Sequence, residues 1–157
     1  MDAKHIYLLG VRSSAFLAGY LNFYFHLIFK NVTLVQSAAG EIFDQMLRIG
    51  PGDVLVGISF PRYSQIAVNA VRFARDRGAD VIAVTDSKMS PIYKMASASL
   101  LVSSDMISFV DSMAAPVSLL NALIMAVGQQ KSEETAESFS ELERVWSQYG
   151  VFGDAED

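Results

Sequence analysis

Apolar residues gather in five short runs, at 5–10, 31–35, 53–59, 80–85 and 98–102. The runs do not alternate with polar residues, so they predict strands buried on both faces. Longer segments between and after them carry helical spacing. Segment 63–77 is the clearest: Ile66, Ala70, Phe73 and Ala74 fall on one side, Arg72, Arg75 and Asp76 on the other, and Gly78 ends it. A helix from Ser13 or Ser14 to about 30 is apolar nearly all round, which predicts burial on more than one side, the second by another subunit. A short helix is expected over 37–49, stopped by Gly50-Pro51-Gly52, and another opens at Ser90-Pro91. A long apolar helix, capped by Asp111 or Ser112, runs to about 130 with Pro116 near its start. A last one begins at Ser132, with Glu133 and Glu134 in its first turn.

Buried strands separated by helices imply a parallel sheet covered on both sides. The expected fold class is α/β: a three-layer α/β/α sandwich with a five-stranded parallel sheet in the flavodoxin-like order 2-1-3-4-5. In that order the first and third strands are neighbours and the chain reverses direction between them. Ligands bind at such a switch point, beyond the carboxyl ends of the strands. The organisation expected is one domain over 1–150 and a mobile acidic tail over 151–157.

Composition narrows the chemistry. The 157 residues are 52% apolar and 18% charged, enough for one domain with a proper core. There is no cysteine and there are two histidines, so no metal site or cofactor is expected. Net charge is −5 and the basic residues are scattered, unlike the basic stripe of a nucleic-acid binder. The longest greasy stretch, 15–29, contains Asn22 and His26 and falls short of the ~18 apolar residues of a membrane span. Met1-Asp2-Ala3-Lys4 lacks the pattern of a secretory signal, and the expected location is the cytoplasm.

Two strand-to-helix junctions carry the candidate site. After the first strand come Arg12, Ser13 and Ser14; after the third come Ser59, Arg62, Tyr63 and Ser64. Free N–H groups at a helix start favour an anion, and a guanidinium fork suits phosphate or carboxylate. Thr85, ending the fourth strand on the same side, is expected to line the crevice. The plainer alternative is that the serines only cap helices and that one arginine pairs with Asp86 or Glu41. His5 and His26 read as structural, His26 as a packed residue among aromatics.

The order strand–Gly10-x-x-x-Ser14–helix, then Ile58-Ser59-x-x-x-x-Ser64, then Ala83-Val84-Thr85 and Ser90-Pro91, resembles the SIS (sugar isomerase) domain. It is most similar to the version at the C-terminus of RpiR/MurR-type transcriptional regulators, over roughly residues 4–130. The resemblance implies phosphosugar binding at the strand ends and dimerisation. The family's first loop reads Gly-x-Gly-x-Ser; Gly10 and Ser14 match it and Arg12 replaces the second glycine. Its other loop reads Ser-x-Ser-Gly-x-Thr; Ser59 matches, Pro61 and Arg62 replace the middle serine and the glycine, and Ser64 replaces the threonine. Both loops thus gain an arginine. The expectation is that Arg12 and Arg62 converge on the anionic group of a phosphosugar or sugar-acid effector.

The function expected is that of an effector-binding and dimerisation domain, the sensor half of a sugar-responsive regulator. It would form a homodimer or higher homo-oligomer through its apolar helices. DNA would be reached only through an N-terminal helix-turn-helix part absent from this chain. The alternative is a stand-alone aldose–ketose phosphosugar isomerase. That reaction needs a general base, for which Glu41 and His26 are the candidates. A third reading, a nucleotide-binding flavodoxin-like domain, lacks the Gly-x-Gly-x-x-Gly fingerprint.

Overall fold

The computed structural model describes residues 3–36, 41–107 and 109–152. Five parallel strands form the sheet: β1 (Ile6–Gly10), β2 (Val32–Val35), β3 (Val54–Ile58), β4 (Asp80–Thr85) and β5 (Ala98–Leu101). Their order is β2-β1-β3-β4-β5, as the hydrophobic runs implied. Ile6 lies opposite Val32 on one side and Val54 on the other, so β1 is central.

Alternate strand residues serve two different cores, because successive side chains point to opposite faces. Ile6, Leu8, Val54, Val56, Ile58 and Val84 pack beneath α1 (Ser14–Ile28) and α4 (Ala114–Gln130). Tyr7, Leu9, Leu55, Val81 and Ala83 pack beneath α2 (Ile42–Gln45) and α3 (Gln65–Asp76). A strand that faces a helix on each side has no polar face to show, which is why its sequence does not alternate. The fifth helix, α5 (Ser132–Tyr149), has no buried residue and leans on α1 and α4.

Several elements differ from expectation at their edges. The helix over 37–49 reduces to α2, and Ser37 lies outside the described residues. Beyond Gln45 the chain tightens into i→i+3 turns that bury Met46 and Ile49. The helix expected from 63 starts at Gln65, because Arg62 is left-handed and Ser64 extended. Ser90-Pro91 leads only to a 3₁₀ turn, Tyr93–Met95. Neither Asp111 nor Ser112 caps the long helix, whose N-cap is Met113. Pro116 is the third residue of α4, where a missing N–H removes no helical hydrogen bond.

An antiparallel pair not foreseen from sequence, β6 (Met106–Ile107) and β7 (Val110–Asp111), fills the connection from β5 to α4. α1 finds part of its second partner within the chain, in α4 and α5. Phe16 and Phe23 nevertheless remain exposed, at 82% and 64%. His26 is a correction: it is exposed, one position past the buried Phe25 and so turned off the core face of α1. His5, just before β1, is held by Thr33 of β2, at 2.8 Å. Of the expected acidic tail, residues 153–157 lie outside the described residues. Among the described residues no helix is long and apolar enough to cross a membrane.

Candidate functional site

The loop after β1 is built by a close approach. A Cβ on Gly10 would stand 2.1 Å from the carbonyl oxygen of Ser14, so the first turn of α1 can fold back onto the strand end only over glycine. Arg12 then turns the chain with φ 58°, a left-handed backbone uncommon outside glycine. Its carbonyl accepts from Ala15 N at 3.0 Å. Ser13 is already helical, with φ −57° and ψ −35°, and makes no side-chain cap. Its hydroxyl instead donates to Asp111 Oδ2 at 2.8 Å, tying the first loop to β7.

The loop after β3 makes the same turn. Arg62 has φ 65°, so the two arginines that stand in place of the family-pattern glycines both keep a glycine-like backbone. Ser64 is extended and begins α3 without a side-chain cap. Beneath this loop the Thr85 hydroxyl, fully buried, donates to the Ser59 carbonyl at 2.6 Å and sits 2.8 Å from Ser90 Oγ. Ser59 N in turn donates to the Val84 carbonyl at 3.1 Å. Thr85 therefore supports the loop from below.

Between the loops lies a cleft of about 400 Å³. Six of the residues singled out from sequence line it: Arg12, Ser13, Ser14, Ser59, Arg62 and Ser64. Thr85 and Tyr63 are not among the lining residues. Tyr63 packs against the core under α2 and α3, and its hydroxyl donates to Asp86 Oδ1 at 2.8 Å. Burial, and then the hydrogen bond to Asp86, push the Tyr63 hydroxyl above its ordinary pKa. This contact also takes up Asp86, one of the two acids considered as an arginine partner. Among the described residues the ion pairs are Arg75–Asp76, Lys131–Glu134 and Arg144–Glu141, and none involves Arg12 or Arg62.

The lining missed from sequence is Asp111, with the apolar Phe60 and Met113 nearby. The β6–β7 connection brings Asp111 to the cleft, 98 positions from its partner Ser13. An aspartate just before a long helix reads as a cap, and nothing local distinguishes the two roles. Two arginines and one aspartate line the cleft, residue types suited to an anion that also carries hydrogen-bond donors. Glu41 and His26 do not line it. Among the described residues no group of three or more His, Asp or Glu is placed to hold a metal ion.

Comparison with known proteins agrees with the fold. A family model described as the SIS domain matches residues 1–126. No curated protein matches the chain. Among solved structures, the sugar isomerase domain of an RpiR transcription factor from Sphaerobacter thermophilus is similar at 23% identity and a TM-score of 0.86, over 91% of this chain and 80% of that one. The Vibrio vulnificus NanR protein, complexed with ManNAc-6P, is similar at 17% identity and a TM-score of 0.79. That match covers 98% of this chain and 58% of NanR. A Methanococcus jannaschii protein whose structure was used to infer a 3-hexulose-6-phosphate isomerase function is similar at 15% identity and a TM-score of 0.57, over 90% and 72% of the two chains.

Proposed function

The chain belongs to the SIS domain family, and from that premise we propose that it is the effector-binding and dimerisation domain of a sugar-responsive transcriptional regulator. Its effector is a phosphosugar or sugar acid, held between the carboxyl ends of β1 and β3. The observation that carries this reading is the pair of left-handed arginines flanking one cleft at the switch point. A non-glycine residue in that conformation costs on the order of 1 kcal/mol. Two such costs, on two loops that line one cleft and both on arginine, fit a clamp for an anionic group. Ser14, Ser59 and Ser64 line the same cleft, and their hydroxyls would supply further donors. Similar structures include an RpiR transcription factor and a NanR protein bound to ManNAc-6P, which supports the regulator reading, beside proteins named as phosphosugar isomerases, which keep the enzyme as the alternative.

The test is a thermal-shift and calorimetric screen of sugar phosphates and sugar acids against wild type, Arg12→Gly and Arg62→Gly. Glycine is the right replacement because it accepts the backbone angle, whereas alanine would keep the strain. Ligand at 100 times its Kd stabilises the fold by about 2.7 kcal/mol, a readily seen rise in Tm. Each glycine variant is expected to weaken binding about tenfold or more, the worth of a charge-assisted hydrogen bond. Unchanged affinity in both variants would overturn the clamp. Turnover of a sugar phosphate in the same screen would move the assignment to an isomerase, which would have to recruit Asp111 as its base.

A further inference from the structure

Asp111 and Ser13 form one wall of the cleft, and the direction of their hydrogen bond decides what that wall can do. Ser13 gives its single hydroxyl proton to Asp111 Oδ2 at 2.8 Å. It therefore offers a ligand lone pairs and no donor. The other carboxylate oxygen, Oδ1, has no hydrogen-bond partner among the described residues, and the residue lines the cleft. This wall accepts hydrogen bonds, while Arg12 and Arg62 only donate them. Phosphate or carboxylate oxygens satisfy the arginines and gain nothing from Asp111, whose charge repels them. A hydroxyl does the opposite.

We propose that Asp111 is the specificity-determining residue of the cleft, accepting a hydrogen bond from a ligand hydroxyl near the anionic group that the arginines hold. The inference rests on the anion-binding reading above. It narrows the ligand class to polyhydroxylated molecules with one anionic end. Molecules with a second anionic group close to the first are excluded, because that group would meet the carboxylate. Inorganic phosphate, which has no sugar hydroxyl to give Asp111, is expected to bind more weakly than a sugar phosphate.

The experiment is a protein-observed NMR titration with inorganic phosphate, glucose 6-phosphate, N-acetylglucosamine 6-phosphate and ribose 5-phosphate. It uses wild type, Asp111→Asn, Asp111→Ala and Arg62→Gly. The Asn variant can still accept from Ser13 through its amide oxygen, so the tie between the loops and the fold are kept. The expected result is that at least one sugar phosphate binds wild type more tightly than phosphate does. Both Asp111 variants should lose that margin, about tenfold to a hundredfold, while phosphate binds equally well or better. A margin that survives in both Asp111 variants overturns the proposal. So does an equal weakening of phosphate and sugar phosphate, or the absence of any margin in wild type. If instead phosphate binding is indifferent to Arg62→Gly as well as weak, the anion clamp itself fails, a different pattern from any in which only Asp111 is misassigned.

Discussion

At the scale of single residues, backbone angle and side-chain role must be read together. Arg12 and Arg62 are the two cationic residues lining the cleft, on a backbone that suits glycine. Changing either to glycine relieves strain but adds freedom to the unfolded chain, two effects of about 1 kcal/mol that oppose each other. Stability should stay within about 1 kcal/mol of wild type while ligand affinity falls, so the two properties separate. Tyr63 sits just beyond, and its hydroxyl pKa is raised by burial first and by Asp86 second. Below pH ~10, the ordinary tyrosine value, the group keeps its proton in both the folded and unfolded states, and its contribution is fully present. Above that the unfolded chain gives up its proton first, so stability falls as the pH rises toward the folded pKa. Tyr7, raised by burial and then by Asp53, acts in the same direction. Urea titrations from pH 8 to 11 should therefore show a decline that is shallower in Tyr63→Phe. That variant should also be about 1 kcal/mol less stable at neutral pH, for the lost hydrogen bond. Parallel declines in the two proteins would show that the Asp86 contact does not govern this behaviour.

At the scale of elements, α4 is the interesting one. It is apolar in sequence, yet only Pro116 and Leu120 are fully buried. Leu120 reaches the core shared by α1 and the sheet, and the residues around it are only partly buried. Leu120→Ala should cost about 2–5 kcal/mol, the range for a buried leucine truncated in a core. Denaturant unfolding would measure it, and a loss under about 1 kcal/mol would mean that α4 is held chiefly by its ends. The same element fixes Met113 and, just before it, Asp111 at the cleft. Element boundaries also explain where the sequence reading was imprecise. Helical periodicity ran to Tyr63, but the conformations of Arg62 and Ser64 delay the helix to Gln65. Periodicity records which face is buried and carries no mark of a left-handed residue.

At the scale of the whole molecule, the exposed apolar surface remains to be accounted for. Phe16 and Phe23 lie seven positions apart on α1, two turns along one side of the helix, and Met125 of α4 is 65% exposed. A second copy of this chain is the proposed cover, in keeping with a dimerising sensor. Phe16→Glu combined with Phe23→Glu should shift the mass measured by light scattering from dimer to monomer, with little change in circular dichroism. A monomeric wild type, or a dimer indifferent to both changes, would remove this surface from the model of function. A dimer also gives the effector a lever, since ligand need only favour one arrangement of the two copies over another.

The sequence by itself determined the layers, the strand order and most of the lining of one cleft. Unbroken apolar runs can be stable only with helices on both faces, and the default winding of five such strands places the ends of β1 and β3 side by side. Arg12, Ser13, Ser14, Ser59, Arg62 and Ser64 were legible because each is local to a strand end. Only the tertiary structure decided the rest. It buried Thr85 under Ser59 and turned Tyr63 toward Asp86, although both lie beside the cleft in sequence. It also carried Asp111 across the top of the sheet to Ser13. The reason is physical: a hydrogen bond between residues 98 positions apart depends on where a loop returns, and local spacing holds no record of that path.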